Sequence, residues 1–393
     1  MLGRRWLDIT LPSAYAHLGV DGKVFVDAAC VTEGEGDLFE RCDWYLAAYS
    51  YVSGIAEWHH EVEHGPAHSF ALRLKNIPAR CFEHAWANRI LRVLRALEAT
   101  RSGKDEVALF GPLPRPSIVL THDIDALDKT LPIRLKQSAF ELFNALRFLL
   151  QGKIWHSLNA CARGLRMFLT TPRYYHLDTV ADLVAAHGMR SRFHVYVRPG
   201  KRSLKQWLFD PGYAAGDPRL RAFVTRRQEE GFGFGLHPSF EAWHDANALR
   251  ASREAMQQTL GVTPVHVRQH WLRFSWRDTW SAQTKAGLTE DCTLGFNDRA
   301  GFRTASALHY QPWDFISGRA HALHACPMIL MDSHFYSYQA MSDADRKAAM
   351  AAIVAEVHAV HGVATVLWHP HTWSSDYGWQ QGFRDLLATI KQP

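Results

Sequence analysis

Two carboxylates that follow an apolar run are the first residues in this chain whose types and spacing suggest chemistry. The run Ser-Ile-Val-Leu-Thr-His at 117–122 ends in Asp123, and Asp125 follows after one isoleucine. Side chains alternate between the two faces of a strand, so Asp123 and Asp125 share a face and repel each other. Such a pair persists most easily if a cation sits between the two carboxylates, or if one of them is held as a base beside a metal ligand. Taken alone, Asp-x-Asp more often caps the next helix, so the rest of the chain must decide.

Three later segments with strand-like sequences also deliver ionisable side chains. The glycine-rich segment 231–237 ends in histidine, 265–270 carries an arginine and a histidine on one face, and 363–368 is followed by histidine. The small residues in the first of these leave room inside a narrow barrel. The side chains concerned are His237, Arg268, His270 and His369.

Strand-like and helix-like segments alternate from Pro116 onward, which is the pattern of a parallel sheet or barrel. In barrels of parallel strands, active sites are built at the carboxyl ends of the strands. We therefore expect the ionisable residues to surround one cavity. The predicted strands of this part cover 116–125, 192–197, 231–237, 265–270 and 363–368.

The length of 393 residues favours two domains. The stiff segment Gly111–Pro116 contains three prolines and reads as a linker. We place the boundary after residue 112, so a small α/β domain at 1–112 precedes a barrel domain at 113–393. Helices are predicted in the first domain at 37–57 and 81–98.

Composition narrows the class of protein. A chain that is 47% hydrophobic and 21% charged is typical of globular proteins, and a net charge of +5 without a long basic run does not favour nucleic-acid binding. The six cysteines form no Cys-x-x-Cys pair, which predicts reduced thiols and a cytoplasmic protein. The first residues lack the apolar core of a signal peptide, and no apolar run reaches the roughly 18 residues of a membrane span.

A two-helix insertion is predicted at about 131–170, after the first strand of the barrel. Its apolar and basic residues are interleaved, so it could lie on a membrane surface. We favour a helical hairpin that packs on its own domain, because such patterns more often do so. The residues are Phe140, Leu142, Phe143, Leu146, Leu149 and Leu150, with Arg134, Lys136, Arg147, Lys153, Arg163 and Arg166.

The order and spacing of these motifs over 116–373 resemble the polysaccharide deacetylase (NodB-homology) family. The matching segments are Thr121–Asp125, Gly235–Ser239, Arg268, Glu290–Phe296 and Leu367–His369. The resemblance implies a distorted TIM-like (β/α) barrel and a metal-dependent amidase. The first domain is similar to a small uncharacterised module that precedes such barrels in bacterial proteins.

Carried over position by position, the resemblance assigns a role to each residue. Asp123 is expected to be the general base, and Asp125 and His237 are expected to bind the metal. Arg268 would orient Asp123 and keep it ionised, and His369 would be the general acid. An aspartate in the fourth motif, Asp291, would tune His369 or complete the substrate pocket.

The third metal ligand departs from the family pattern. The second histidine of the second motif is replaced by Glu241, four residues after His237. Three protein ligands and a water are usual for catalytic zinc, so another residue is needed. We expect His270, which ends the next strand and faces the same way as Arg268, with Glu241 as the alternative. His244 and His371 are weaker candidates.

Two other motifs are rejected. The segment His-Glu-Val-Glu-His at 60–64 matches the zinc-protease pattern, but Gly65-Pro66 ends any helix there, and 23 histidines make chance matches common. The glycines at 231–235 have the wrong spacing for a dinucleotide loop, and Pro238 stands where its helix would start.

The resemblance therefore implies hydrolysis of an N-acetyl or other N-acyl group from an amino sugar with a divalent metal, which we expect to be Zn²⁺. Aromatic residues near the strand ends, such as Trp271, Trp276, Trp313, Trp373, Tyr377 and Trp379, suit a carbohydrate. The expected setting is the biosynthesis of bacterial surface polysaccharide, either O-antigen or capsule. Two alternatives stay open: hydrolysis of another C–N bond, such as an N-formyl group or a cyclic amide, and a glycan-binding barrel without catalysis.

Overall fold

The computed structural model describes residues 5–337 and 341–391 as a mixed α/β protein. The strands are β1 Trp6–Thr10, β2 Lys23–Asp27, β3 Ser117–Ile124, β4 Arg192–Tyr196, β5 Gly233–His237, β6 His266–Val267, β7 Glu290–Asp291, β8 Trp313–Asp314, β9 Arg319–Ala320, β10 His324–Ala325, β11 Met328–Met331 and β12 Val363–Leu367. The helices are α1 Leu38–Arg41, α2 Trp44–Val52, α3 Ile55–His64, α4 Trp86–Ser102, α5 Glu106–Phe110, α6 Leu131–Leu150, α7 Ile154–Leu169, α8 Leu177–Ala186, α9 Leu204–Phe209, α10 Pro218–Glu229, α11 Ala246–Leu260, α12 Thr279–Lys285, α13 Asp332–Tyr336, α14 Asp343–Ala359 and α15 Gln380–Lys391.

Eight parallel strands form a curled sheet in the order β10-β7-β6-β5-β4-β3-β12-β11. The two outer strands of this order, β10 and β11, belong to one segment and are separated only by Cys326 and Pro327. Because β10 pairs with β7 and β11 pairs with β12, this segment joins the two edges of the sheet. The predicted distorted β/α barrel is confirmed.

The two faces of each barrel strand have different surroundings. On β3, Leu120 and Ile124 pack outward into the large apolar core between the sheet and its helices. Thr121 and Asp123 alternate with them and meet the buried guanidinium of Arg268. Polar side chains therefore line the interior of the barrel, and the apolar core lies outside it.

The first unit has an apolar core of its own, built mainly from residues 9–94. Its strands β1 and β2 form an antiparallel pair beside α2 and α4. The predicted helix at 37–57 is three helices, because Asp37 and Asp43 each cap a new start and Gly54 adopts a left-handed conformation with φ +69°. A Cβ atom on Gly54 would lie 2.0 Å from the ring of Trp276, so the barrel approaches this glycine closely.

Two buried ion pairs join the first unit to the barrel. The guanidinium of Arg303 contacts Glu57 at 2.9 Å, and that of Arg89 contacts Glu356 at 2.6 Å. All four side chains are at most one-tenth exposed. Removal of one partner would leave a buried charge unpaired, which is strongly destabilising.

The predicted insertion forms an antiparallel hairpin of α6 and α7, but most of the large apolar side chains of the hairpin are exposed and not packed on the domain. The two helices pack closely on each other, but Leu142, Phe143, Leu146 and Leu150 are 55–80% exposed. These apolar residues therefore do not pack on the domain as we expected.

The predicted strand at 265–270 is much shorter in the structure. Only β6, two residues long, pairs with its neighbours, and a 3₁₀ turn at His270–Leu272 follows. Trp271 and Leu272 in this turn have positive φ angles of +58° and +48°. Among the helices that the structure describes, none has the length and apolar character needed to cross a membrane.

Candidate active site

The carboxyl ends of the barrel strands surround an open cavity of about 200 Å³. Asp123 lies near the end of β3 with Asp125 just beyond it, His237 ends β5, and His369 follows β12 by two residues. His270 begins the turn after β6. All five line the cavity, so the structure brings together residues that lie far apart in the sequence.

Three of these residues could hold a metal ion. Ligand atoms of Asp125, His237 and His270 all lie within 4.8 Å of one another. Oδ1 of Asp125 is 3.3 Å from Nε2 of His237 and 3.8 Å from Nε2 of His270. Both histidines are buried, so the cluster sits at the inner end of the cavity.

The outer contacts of both histidines leave Nε2 available as a ligand atom. Nδ1 of His237 donates to the carbonyl oxygen of Arg268 at 2.7 Å, and Nδ1 of His270 donates to Asp210 at 3.3 Å. Metal-binding histidines usually donate their other ring nitrogen in this way. The buried Oδ1 of Asp125 has no hydrogen-bond partner within the described residues. An unsatisfied carboxylate oxygen beside the Nε2 atoms of two imidazoles fits a divalent cation.

Asp123 is held as a carboxylate inside the barrel. Its Oδ1 accepts a hydrogen bond from Nδ1 of His194 at 3.0 Å and lies 3.4 Å from the guanidinium of Arg268. Arg268 is fully buried and also donates to Thr121 and Thr365. Burial raises the pKa of Asp123, but Arg268, the neighbouring histidines and the hydrogen bond outweigh burial and hold the pKa well below its usual range. The structure therefore places Arg268 against Asp123, the residue that it was predicted to orient.

His369 stands on another side of Asp125 and is paired with a different acid. Its Nε2 is 3.6 Å from Oδ2 of Asp125, and its Nδ1 donates to Asp332 at 2.8 Å. Asp332 also accepts from the backbone N–H of His369 at 2.8 Å. Burial lowers the pKa of His369, but the carboxylates of Asp332, Asp125 and Asp123 raise it to about 10. The imidazole is therefore held protonated, as a general acid requires.

Two solved structures are similar in fold to this chain. One is a putative polysaccharide deacetylase from Mycobacterium smegmatis, at 15% identity and a TM-score of 0.41, covering 71% of this chain and 86% of that chain. The other is a polysaccharide deacetylase from Bacillus cereus, at 12% identity and a TM-score of 0.31, covering 55% of this chain and 81% of that chain. No protein-family model and no curated protein matches the sequence.

Asp291 is not where the sequence resemblance implied. Its carboxylate is fully buried outside the cavity and accepts hydrogen bonds from Trp280 at 3.0 Å, Gln283 at 2.8 Å and Thr293. These contacts tie β7 to α12 and place Asp291 behind the barrel wall. Asp332 occupies the position beside His369 that was expected for Asp291.

The alternative metal ligand, Glu241, also lies away from the cavity. It pairs with Lys205 on the surface, and its side chain is 46% exposed. Of the two weaker candidates, His371 lines the cavity, whereas His244 lies in the surface turn 242–244. The structure thus places His270, and not Glu241, beside Asp125 and His237.

The zinc-protease-like motif at 60–64 lies in the first unit. His60 and His64 both belong to α3, and their rings are 4.8 Å apart. The helix ends at His64, directly before Gly65, as the sequence predicted. The acid of the motif, Glu61, accepts hydrogen bonds from the backbone N–H of Trp276 at 2.8 Å and from the hydroxyl of Ser275. A glutamate held in this way joins the two units and is not free to act as a base.

The wall of the cavity combines aromatic rings with one lysine. Trp271, Tyr377 and Trp379 line it, whereas Trp276 and Trp373 are buried in apolar clusters. The ammonium of Lys136 lies 5.2 Å from the ring centroid of Trp271. Aromatic faces of this kind can stack on sugar rings.

Asp332 and Asp210 are functional candidates that the sequence reasoning missed. Asp332 directly follows the four buried residues of β11, and Asp210 follows Leu-Phe at the end of α9. Asp210 also accepts from Ser239, Tyr196 and the backbone N–H of Phe240, so it is fixed in place. An acid directly after a short apolar run, the feature that identified Asp123, was the available signal for Asp332.

Proposed function

We propose that this protein is a metal-dependent hydrolase that removes an N-acetyl or other N-acyl group from an amino sugar. The observation that carries the proposal is the placement of a carboxylate, Asp123, and an imidazole, His369, around one cluster of Asp125, His237 and His270. Amide hydrolysis needs a base for the attacking water and an acid for the leaving amine, and this arrangement supplies both.

The Asp125–His237–His270 cluster suits a divalent ion, and we propose Zn²⁺. Two imidazoles and one carboxylate with an open position are usual for catalytic zinc. An ion bound there would lower the pKa of a water molecule and polarise the amide carbonyl.

The residues of this chain would then move the protons. Oδ1 of Asp123 is held by His194 and Arg268, and Oδ2 lies 4.0 Å from Nδ1 of His237, so we expect Oδ2 to accept the proton of the attacking water. As the C–N bond breaks, Nε2 of His369 gives its proton to the departing nitrogen. Asp332 stabilises the imidazolium before transfer and fixes the ring through Nδ1. The products are a carboxylate, acetate for an acetyl group, and the amine.

The substrate class rests on the wall of the cavity. Trp271, Tyr377 and Trp379 offer aromatic faces to a sugar, and Lys136 offers a cation to an anionic group linked to it. We propose an amino sugar of bacterial surface polysaccharide, O-antigen or capsule, and a cytoplasmic location. All six cysteines carry free thiols, which supports a reducing compartment.

Release of acetate tests the proposal. Protein loaded with Zn²⁺ is incubated with free, oligosaccharide-linked and nucleotide-linked N-acetyl amino sugars, before and after chelation. We expect acetate from at least one of these sugars, and chelation should abolish its release. Asp123→Asn should lower the rate by about 10²–10⁴-fold and leave the metal content unchanged. The matched control is His64→Gln in the protease-like motif, which should retain both rate and metal.

Three results would overturn the proposal. Metal retained in all of Asp125→Ala, His237→Ala and His270→Ala would show that the cluster is not the metal site. Loss of activity in His64→Gln would point to the first unit. Bound metal without release of any acid from N-acetyl or N-formyl sugars would favour a glycan-binding barrel.

A further inference from the structure

The α6–α7 hairpin has its polar residues inside and its apolar residues outside. The buried residues of α6 are Ser138, Asn144 and Ala145, whereas every exposed residue of this helix is apolar. Thirteen of the 26 large apolar side chains that are exposed in the described residues lie on these two helices. They are Leu131, Leu135, Leu142, Phe143, Leu146, Leu149, Leu150, Ile154, Trp155, Leu158, Leu165, Phe168 and Leu169.

Small and polar residues fasten the two helices to each other. The hydroxyl of Ser138 donates to the carbonyl of Gly164 at 2.9 Å, and that of Ser157 donates to the carbonyl of Ala145 at 2.8 Å. A Cβ atom on Gly164 would lie 3.3 Å from the Cβ of Glu141, so the helices approach closely at this point. The hairpin therefore holds together without using its large apolar side chains.

The exposed apolar side chains form one surface. On α6 they recur at 131, 135, 142, 146 and 149, and on α7 at 154, 158, 161, 165 and 168, which are the spacings of one helix face. The face through which each helix packs on the other is called the seam. Viewed from its own N-terminus, each helix has its apolar stripe rotated from the seam in the same direction. Because the helices are antiparallel, both stripes then lie on the same side of the hairpin.

The same hairpin accounts for the net charge of the protein. The whole chain has 44 basic residues (Lys and Arg) and 39 acidic residues (Asp and Glu). Six of the basic residues and one of the acidic residues lie within 131–170, so the rest of the chain has 38 of each kind. The one acid, Glu141, is paired with Arg163 at 2.8 Å across the seam. The basic residues of the hairpin that are exposed are Lys153, at the start of α7, and Arg163 and Arg166 on α7.

We propose that this surface docks on an anionic lipid bilayer, with its apolar stripe at the level of the head groups. Helices that lie in the membrane interface combine an exposed apolar face with Lys and Arg beside it, and anionic lipids attract such residues. A second copy of this chain fits less well, because a two-fold contact would bring together two hairpins that each carry a net charge of +5. The charge therefore selects the bilayer.

Docking would bring α6, which forms part of the cavity wall, to the membrane. Ile133, Lys136 and Gln137 of α6 form part of the cavity wall. Beside them, α9 adds Leu204, which is 83% exposed, next to Lys205. Together with the proposed function, this geometry favours an amino sugar carried on a membrane lipid. Vesicle binding itself does not depend on the reaction, so the two proposals can fail separately.

Co-sedimentation with vesicles tests the docking. The full chain is mixed with phosphatidylcholine vesicles that contain either no or about 30% phosphatidylglycerol. We expect binding to the anionic vesicles that weakens between about 0.1 and 0.5 M NaCl. The double variant Leu142→Glu, Leu165→Glu should lose about a hundredfold in affinity, because two apolar anchors are removed. Leu72→Glu with Ile316→Glu is the matched control, since both residues are at least 65% exposed elsewhere, and it should bind as the parent does.

Cys161 provides a second measurement on the unaltered protein. It is the exposed cysteine among the six and lies within the apolar stripe of α7. Anionic vesicles should slow its reaction with a charged maleimide at least tenfold, and phosphatidylcholine vesicles should do so less. No binding and no protection would overturn the proposal, as would equal losses in the control variant. A dimer that the Leu142→Glu, Leu165→Glu variant abolishes would show that a second copy covers this surface.

Discussion

Substitution of His270 by Gln tests the departure of this site from the motif that the sequence resembles. The side chain is 6% exposed, and its Nε2 lies 3.8 Å from Asp125. Loss of this imidazole leaves two of the three proposed protein ligands, Asp125 and His237. Glutamine is uncharged and of similar length, and Asp210 keeps its donors from Ser239 and Phe240, so we expect the fold to persist.

The size of the effect follows from the geometry. Changes to groups that only orient a metal ligand typically cost 10- to 100-fold in affinity. His270 is itself a proposed ligand, so the loss in zinc affinity should be about 100-fold or more, which corresponds to about 2.7 kcal/mol. Glu241→Gln is the matched control, because this residue pairs with Lys205 on the surface and should leave zinc affinity unchanged.

Competition with a chromophoric zinc chelator measures both variants, and circular dichroism with thermal melting of the metal-free proteins checks their folding. Parental zinc affinity in a folded His270→Gln protein would refute the proposed ligand set. A loss in Glu241→Gln as large as that in His270→Gln would show that the surface glutamate reaches the metal, contrary to the observed geometry.

Two further predictions concern acid–base pairs. Asp332→Asn should lower kcat at least about 100-fold with little change in KM, because His369 loses the carboxylate that orients it; steady-state acetate release measures this, and an unchanged kcat would contradict the assignment. Glu356 has its pKa lowered to about 2, because His84 and Arg89 outweigh the raising effect of burial. The lowered pKa of Glu356 should contribute about 3 kcal/mol to the free energy of unfolding. This contribution should be complete above about pH 4.5 and disappear as the pH falls towards 2. Glu356→Gln should therefore flatten the pH dependence of thermal unfolding in this window, and an unaltered slope would count against the pair.

The barrel was predictable because its signals are local. Each strand that carries a candidate residue is a short apolar or glycine-rich run that ends in an ionisable side chain, as β3 does before Asp125 and β5 does at His237. Parallel strands place such ends at one rim, so order along the chain was enough to group Asp123, His237 and His369.

The partner of His369 was not predictable in the same way. Asp291 ends the short strand β7 and Asp332 directly follows β11, so only the three-dimensional path of the chain distinguishes the two acids. Asp291 turns outward to Trp280 and Gln283, whereas Asp332 comes from the strand that pairs with β12 and so reaches His369.

The hairpin shows how amphipathic patterns mislead. Periodicity gives the apolar face of a helix but does not say what covers it, and we expected the domain to cover Leu142 and Leu146. Helix packing through Ser138, Ser157 and Gly164 was not foreseen, because small and polar residues carry little weight in an apolar pattern.

The position of β12 has a consequence for synthesis of the chain. This strand, the last of the barrel to be made, is inserted between β3 and β11, so residue 121 pairs with residue 367. Until residues 363–367 leave the ribosome, the backbone donors and acceptors along one side of β3 have no strand partner. We expect the growing polypeptide to be prone to aggregation at this stage and to rely on chaperones until its final strand emerges.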